Sequence, residues 1–319
     1  MSSSFSVMTP LISCLLPVYD GETTIISAIQ SIQGQTFSDW ELIIIDDGSQ
    51  DKSYELCEGE ALKDSRIRVY KNDQNIGLAK TMNRLVSLAA GEYIAVQEQD
   101  DRSVPERLEK EVALLESKPD VGIVSGIAAW VDSNDQVINL FPGLLTRMEQ
   151  FPQEKDSLIK WLYVEQSKIV NAACMFRREL VEGDNLPFDP EAKMSIDWQF
   201  FLNLAHQTKA WGIPEVLVRM LRDTDHAHLT SNKQLQFSEA RRCIRKIYRE
   251  YKDNKRSPIN RTLYLKSMSH ELVLEGRYYG GFSGLGLLLK AILNNPLNKK
   301  AWSSIAQMTA RGFQQIFRR

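Results

Sequence analysis

Three groups of carboxylates hold most of the chemistry this sequence could perform. Asp46 and Asp47 follow the apolar run Ile43-Ile44-Ile45 and precede Gly48-Ser49. Neighbouring carboxylates repel each other. They either cap a helix starting near Lys52 or accept hydrogen bonds from the N–H and hydroxyl groups of a ligand. Glu98-Gln99-Asp100-Asp101 follows Tyr93-Ile94-Ala95-Val96, so three carboxylates fall within four residues at the end of an apolar run. Burial makes such clustered charge costly. A hard divalent cation, Mn²⁺ or Mg²⁺, bridging to the oxygens of a diphosphate relieves that cost. The plainer alternative is that Asp101 caps a helix over 105–117 and the others are solvated. Asp197 opens an apolar stretch, Met194-Ser195-Ile196-Asp197-Trp198-Gln199-Phe200. Partial desolvation there raises a carboxyl pKa and suits it to general-base work. The plainer alternative is an aspartate stabilised by the helix dipole.

These groups need a scaffold, and the pattern supplies one. Apolar runs at 11–18, 41–45, 67–70, 93–96 and 121–127 predict strands. The segments 24–33, 52–63, 78–90 and 105–117 predict helices, the third closed by Gly91 and the fourth opened by Pro105. Alternating strands and helices, with strands buried on both faces, imply an α/β fold: a mainly parallel, Rossmann-like sheet flanked by helices. Ligands of such sheets bind beyond the carboxyl ends of the strands. Asp46-Asp47 and Asp100-Asp101 fall at two of those ends. Residues 130–222 are less regular, with strand-like 170–177 and 211–221 and a helix over 197–205. Beyond 232 the chain reads as mostly helical.

Several function classes are set aside by composition. With 43% hydrophobic and 25% charged residues the chain is neither disordered nor low-complexity. Cys14, Cys57, Cys174 and Cys243 form no C-x-x-C pair, so they read as reduced, mostly buried thiols rather than disulfides or a zinc site. No stretch has the ~20 apolar residues of a membrane span, and no signal peptide is evident. A cytoplasmic protein is expected. His226 and His228 lack a third ligand at metal spacing, and His206 stands alone. The glycine-rich 280–286 follows no strand and lacks a phosphate-loop lysine.

In combination and in order, these residues resemble family 2 glycosyltransferases, inverting enzymes of the GT-A fold. The resemblance covers about two-thirds of the chain. It is carried by Leu16-Pro17-Val18-Tyr19-Asp20, Ile45-Asp46-Asp47-Gly48-Ser49, Asn75-Ile76-Gly77-Leu78 with Asn83, Ala90-Gly91-Glu92-Tyr93, and Asp100-Asp101 with Pro105-Glu106-Arg107-Leu108. It implies a nucleotide-diphospho-sugar donor, most simply a UDP-sugar. Pro17, Val18, Tyr19 and Asp47 would line the nucleotide pocket, with Asp46 supporting its turn and Glu98 and Asp101 beside the donor. Asp100 would bind Mn²⁺ or Mg²⁺, and Asp197 would be the catalytic base. Two positions depart from the pattern: Glu98 stands where Asp is usual, and Ile196 stands where an acidic residue often precedes the base.

Charge divides the chain unevenly. From residue 238 onward there are 17 Lys/Arg against 5 Asp/Glu, whereas the whole chain has a net charge of −2. Residues 1–232 are therefore read as the catalytic domain, with nucleotide-binding and acceptor halves meeting near 128, and 233–319 as a basic helical extension. In that extension Arg241, Arg242, Arg245, Lys246, Arg249 and Lys252 alternate with Ile244, Ile247, Tyr248 and Tyr251, and Trp302, Ile305, Phe313, Ile316 and Phe317 follow. Such a pattern suits peripheral contact with the inner face of an anionic membrane, or plain packing of the apolar faces. The acceptor implied is a saccharide or a lipid-linked saccharide of surface polysaccharide synthesis. A non-catalytic nucleotide-sugar-binding subunit is the alternative. The acidic body argues against nucleic acid, and the first loop lacks the glycines and basic residues of a nucleotidyltransferase.

Overall fold

The computed structural model describes residues 9–166, 168–183, 187–222 and 232–316, with side chains to residue 308. The chain begins with β1 (Ile12–Val18), α1 (Ile25–Gln33), β2 (Trp40–Asp46), α2 (Ser53–Ala61), β3 (Ile67–Lys71), α3 (Leu78–Leu88) and β4 (Tyr93–Val96). It continues through β5 (Asp101–Ser103), α4 (Arg107–Ser117), β6 (Val121–Val131), β7 (Val137–Phe141), α5 (Gly143–Thr146) and α6 (Lys155–Glu165). Then come β8 (Cys174–Arg177), α7 (Ile196–Ala205), β9 (Lys209–Leu221), α8 (Lys233–Tyr251), α9 (Arg261–Tyr279), α10 (Gly281–Asn294) and α11 (Lys299–Ile316). His226 and His228, and the terminal Phe317, Arg318 and Arg319, lie outside the described residues.

Two compact units result, Met1–Lys155 with Lys168–Ala227, and Asp156–Ser167 with His228–Arg319. The first is built on one sheet of strand order β3-β2-β1-β4-β8-β6-β9-β5, with β7 paired to β6. Strands β3, β2, β1 and β4 run parallel. Beyond β4 the pairings mix, because β8 enters antiparallel between β4 and β6 while β6 and β9 are parallel. Continuous apolar runs produce the parallel part: Cys14, Leu15 and Leu16 of β1 and Leu42 to Ile45 of β2 are wholly buried, as strands covered on both faces must be. In register, Val18 lies opposite Asp46 and Leu15 opposite Val96. The carboxyl ends of β2, β1 and β4 thus form one continuous rim.

Three local expectations change. Helix α3 ends at Leu88, with Ala89 rather than Gly91 as its extended cap. Gly91 answers a different need: a Cβ there would sit 2.6 Å from the Ser13 nitrogen, so only glycine lets this loop pass β1. Asp101 does not cap the following helix. It lies in β5, which pairs with β9, and α4 starts at Arg107 with no side-chain cap. Finally, β6 extends to Val131 and turns into β7, a hairpin hidden in the sequence by irregular register near Trp130. All four cysteines are free and buried, and burial pushes the Cys14 and Cys57 thiols up to about 12, so they are inert at neutral pH.

The second unit is helical. The Tyr163 hydroxyl of α6 donates to the Ile244 carbonyl (2.8 Å), and the Tyr163 carbonyl accepts from Ser267 (2.7 Å), which ties α6 to α8 and α9. Helices α9 and α10 meet at a glycine pair: a Cβ on Gly284 would lie 2.4 Å from the Gly276 carbonyl. Within the glycine-rich 280–286, Gly284 is therefore a helix-packing device. Ile244 and Ile247 are fully buried, so the apolar side of α8 is not open to solvent. Among the described residues no helix is long and apolar enough to cross a membrane.

Candidate active site

The rim begins with two loops that lock each other. Asp20 N–H donates to Ser49 Oγ (3.0 Å), Gln50 N–H to Asp20 Oδ1 (2.8 Å), Gly21 N–H to Ser53 Oγ (2.8 Å) and Lys52 N–H to Glu22 Oε2 (3.1 Å). Asp46, at the end of β2, accepts on Oδ1 from the Gly48 and Ser49 amides (3.1 and 3.0 Å). Gly48 has φ +78°, and a Cβ would lie 2.7 Å from the Asn75 nitrogen, so the turn needs glycine twice over. Asp47 accepts from the Asn72 amide (2.7 Å) and Ile76 N–H (3.0 Å) on Oδ1, and from Gly77 N–H (3.0 Å) on Oδ2. It is buried, and it holds the 75–77 loop against the strand end. Val18 is buried, with its carbonyl accepting from Asp47 N–H (2.7 Å), Pro17 is half-buried, and Tyr19 is 43% exposed.

The second cluster is of another kind. Glu98, Asp100 and Asp101 each offer a carboxylate oxygen within 4.8 Å of the others. Glu98 and Asp100 are half-buried and Asp101 fully so. Neither oxygen of Asp101 has a hydrogen-bond partner. Burial first, then the Glu98 and Asp100 charges, push the Asp101 carboxyl well above its ordinary value; Arg222 and Arg107 pull the other way. Glu98 is raised by burial and by Asp100, against a hydrogen bond from the Asn171 amide (3.0 Å). Asp197 also raises Glu98. That places the candidate base, in the first turn of α7, within electrostatic reach of the cluster. Burial raises Asp197 itself, opposed by backbone amides at the helix start. Ser195, just before α7, is left-handed (φ 55°), which aims the helix start.

A bare, buried carboxylate beside two others is a donor set that fits a hard divalent cation. The same observation does not extend to Asp47, whose two oxygens the chain's own amides fill, whereas Asp46 accepts two amides on Oδ1 and leaves Oδ2 buried without a hydrogen-bond partner.

Three positioning residues escape a reading by spacing. Gln99 clamps the first loop: its Oε1 accepts from Tyr19 N–H (2.8 Å) and its Nε2 donates to the Tyr19 carbonyl (3.0 Å). A Cβ on Gly21 would strike that amide at 2.8 Å. Arg107 is a fully buried cation under the end of β4, donating to the Val96 and Cys174 carbonyls (2.8 and 3.0 Å), Ser103 Oγ (2.9 Å) and Glu111 (3.2 Å). Asn171 holds Glu98, and its own Oδ1 is buried without a partner. The one available signal was Arg107, a charge on the apolar side of its helix. His206 bonds the Leu202 carbonyl (2.9 Å), in keeping with a structural role.

A parallel β/α rim with an acidic cluster at a strand end defines a class, and comparison with known proteins identifies it. Residues 13–183 match the family described as Glycosyl transferase family 2, and the chain belongs to that family of glycosyltransferases. An uncharacterised glycosyltransferase of Methanocaldococcus jannaschii is 28% identical over 213 residues, 66% of this chain and 70% of that protein. The putative glycosyltransferase EpsE of Bacillus subtilis is 42% identical over 108 residues, 34% of this chain and 39% of its own. WfgD of Escherichia coli, a UDP-Glc:alpha-D-GlcNAc-diphosphoundecaprenol beta-1,3-glucosyltransferase, is 30% identical over 128 residues, 40% of this chain and 49% of its own. This chain therefore spans less than half the length of the last two. Among solved structures, S. aureus TarS 1-349 in complex with UDP-GlcNAc superposes with TM-score 0.67 at 16% identity, over 89% of this chain and 81% of that one. The mannosyltransferase PcManGT of Pyrobaculum calidifontis, in complex with GDP-Man and Mn²⁺, gives 0.57 at 16% identity, over 98% and 89%. These likenesses establish the GT-A fold for the chain.

Proposed function

We propose that this chain transfers a sugar from a UDP-sugar to a hydroxyl of a saccharide or lipid-linked saccharide, with inversion and with a divalent cation, in surface polysaccharide synthesis. The observation that carries the reading is the cluster of Glu98, Asp100 and Asp101, buried on one side and unpartnered at Asp101, with Asp197 in electrostatic reach. WfgD and the UDP-GlcNAc complex of TarS support the donor, and the Mn²⁺ complex of PcManGT supports the metal.

Each residue then has a task. Pro17, Val18 and the exposed ring of Tyr19 form the wall for the base and ribose. Asp46 and Asp47 shape that pocket through the 48–49 turn and the 75–77 loop, and Gln99 sets the wall's distance from the acidic cluster. Asp100 is the direct metal ligand, with Glu98 and Asp101 beside it. Mn²⁺ or Mg²⁺ bound there supplies neutralisation of the charge that builds on the leaving diphosphate. Asp197 takes the proton of the acceptor hydroxyl, and the freed oxygen pair attacks the anomeric carbon. The bond from that carbon to the diphosphate oxygen breaks on the opposite face, and its electron pair leaves with the nucleotide. One in-line displacement inverts the anomeric centre.

Thermal unfolding with UDP, GDP and their sugar conjugates, each with and without Mn²⁺, tests the reading. Stabilisation by a UDP-sugar only when Mn²⁺ is present is expected. Equal stabilisation in EDTA, or none by any nucleotide, defeats it. Intact binding with no transfer or donor hydrolysis would support a non-catalytic subunit instead.

A further inference from the structure

Helix α10 carries two apolar stripes on opposite sides. Gly284, Leu288 and Ala291 are buried within the helical unit. At about 100° per residue, Phe282, Leu289 and Leu293 fall within one narrow stripe directly opposite. Phe282 is 95% exposed and Leu293 82%, with Leu289 also exposed. Leu297 follows at 87%. Trp302, also exposed, lies against that same turn, its indole N–H donating to the Pro296 carbonyl (2.9 Å). Lone exposed leucines are ordinary, but a continuous apolar ridge marks a contact surface.

Charge selects the partner. No Asp or Glu follows Glu275, whereas Arg277, Lys290, Lys299, Lys300, Arg311, Arg318 and Arg319 do. Lys290, on α10 itself, and Lys299 and Lys300, which follow Leu297 and open α11, are exposed. An exposed apolar stripe in a stretch of chain that carries cations and, after Glu275, no carboxylate is complementary to a lipid surface with anionic headgroups: side chains enter the acyl boundary while ammonium groups stay with the phosphates. At 14 residues α10 is about 21 Å long, too short to span a bilayer and long enough to lie along one.

We propose that the ridge of Phe282, Leu289, Leu293 and Leu297 is a membrane-docking surface for anionic lipid. It replaces the face of α8 that periodicity suggests, because Ile244 and Ile247 are buried. The proposal is independent of the donor chemistry, and its test uses no nucleotide or acceptor.

The full chain is floated with vesicles of phosphatidylcholine alone and of phosphatidylcholine with phosphatidylglycerol, at low and high salt. Flotation with the anionic vesicles, weakened by salt, is expected. The double substitution Phe282→Ser and Leu293→Ser should weaken it by about tenfold or more, with an unchanged melting temperature because both side chains are exposed. Lys299→Glu with Lys300→Glu, which leaves the ridge intact, should weaken it on anionic vesicles only. Absence of flotation with either vesicle overturns the proposal, as does equal flotation after the serine substitutions. It is also overturned if the lipid-free chain self-associates and the serine substitutions dissolve that assembly, since a second copy would then be what covers the ridge.

Discussion

At the end of β2, Asp46 and Asp47 accept five hydrogen bonds between them, four of these from backbone amides of the 48–49 turn and the 76–77 loop. Past the end of β4, two strands along the same sheet, the chain reaches Asp101, at the start of β5, which is equally buried and accepts none on either oxygen. The residue types are the same and the rim is the same. What differs is the supply of donors. Gly48 and Gly77 free the backbone to turn its amides toward Asp46 and Asp47. Of the two cations that act on Asp101, Arg107 spends its guanidinium on Val96, Cys174, Ser103 and Glu111, and Arg222 donates to the Leu221 carbonyl. Asp47, and Asp46 through Oδ1, therefore cross-link the chain, with Asp46 Oδ2 buried and unpartnered, whereas Asp101 is bare on both oxygens and is the carboxylate that we propose the fold leaves open for a ligand.

The largest effect expected is at Asp197, the proposed base, which would act on the acceptor and belongs to neither group. Asp197→Asn keeps the size of the side chain and removes the base. Transfer should fall about 10²–10⁴-fold, while UDP and Mn²⁺ still stabilise the protein in thermal melts. Full activity in this variant would break the assignment of the base.

The two pairs themselves should answer substitution in opposite ways. With saturating UDP-sugar and Mn²⁺, the wild type should gain about 2.7 kcal/mol at a hundredfold excess over Kd. Asp101→Asn removes a buried charge with no partner, so the metal-free protein should melt higher than wild type, and the gain on adding Mn²⁺ should shrink. Asp47→Ala removes the acceptor of three donors. It should cost about 1–3 kcal/mol in the metal-free protein and retain the response to Mn²⁺. Calorimetry of the two variants with and without EDTA separates them. If Asp47→Ala abolishes the Mn²⁺ response while Asp101→Asn keeps it, the roles of the two pairs are reversed.

This contrast between the pairs was only half legible in the sequence. Strands β1, β2 and β4 were readable because a strand buried on both faces is written as an unbroken apolar run, and a carboxylate pair after such a run marks a strand end. Which carboxylates find donors is decided by chain far away. Asn72 reaches Asp47 across 25 positions, Asn171 reaches Glu98 across 73, and Gln99 reaches Tyr19 across 80. Strand β5, Asp101–Ser103, has no strand pattern of its own and exists through its pairing with β9. The helical unit repeats the lesson. Periodicity finds the apolar side of α8, but the exposed stripe of α10 shows only in the structure, because which side of α10 meets α9 depends on the Gly276–Gly284 approach.

A third carboxylate sharpens the comparison with the smallest expected effect. Glu111 is fully buried like Asp101, but it has a cation, with Arg107 Nε at 3.2 Å. Burial still pushes Glu111 from its ordinary 4.5 up to about 7, against the pull of Arg107. The folded state therefore holds a proton on Glu111 that the unfolded chain releases near 4.5. Between those values the folded state binds more protons, so stability falls as pH rises, and the contribution present below 4.5 is lost through about 7. Urea unfolding across this range should show that decline, to which Glu271, also pushed by burial up to about 7, contributes, and Glu111→Gln should make it shallower. The variant still offers Arg107 an amide oxygen, and the Val96 and Cys174 carbonyls remain in place. A wild-type slope of the opposite sign would mean that Arg107 holds Glu111 ionised. The lack of a cation of its own, rather than burial, would then be what distinguishes Asp101.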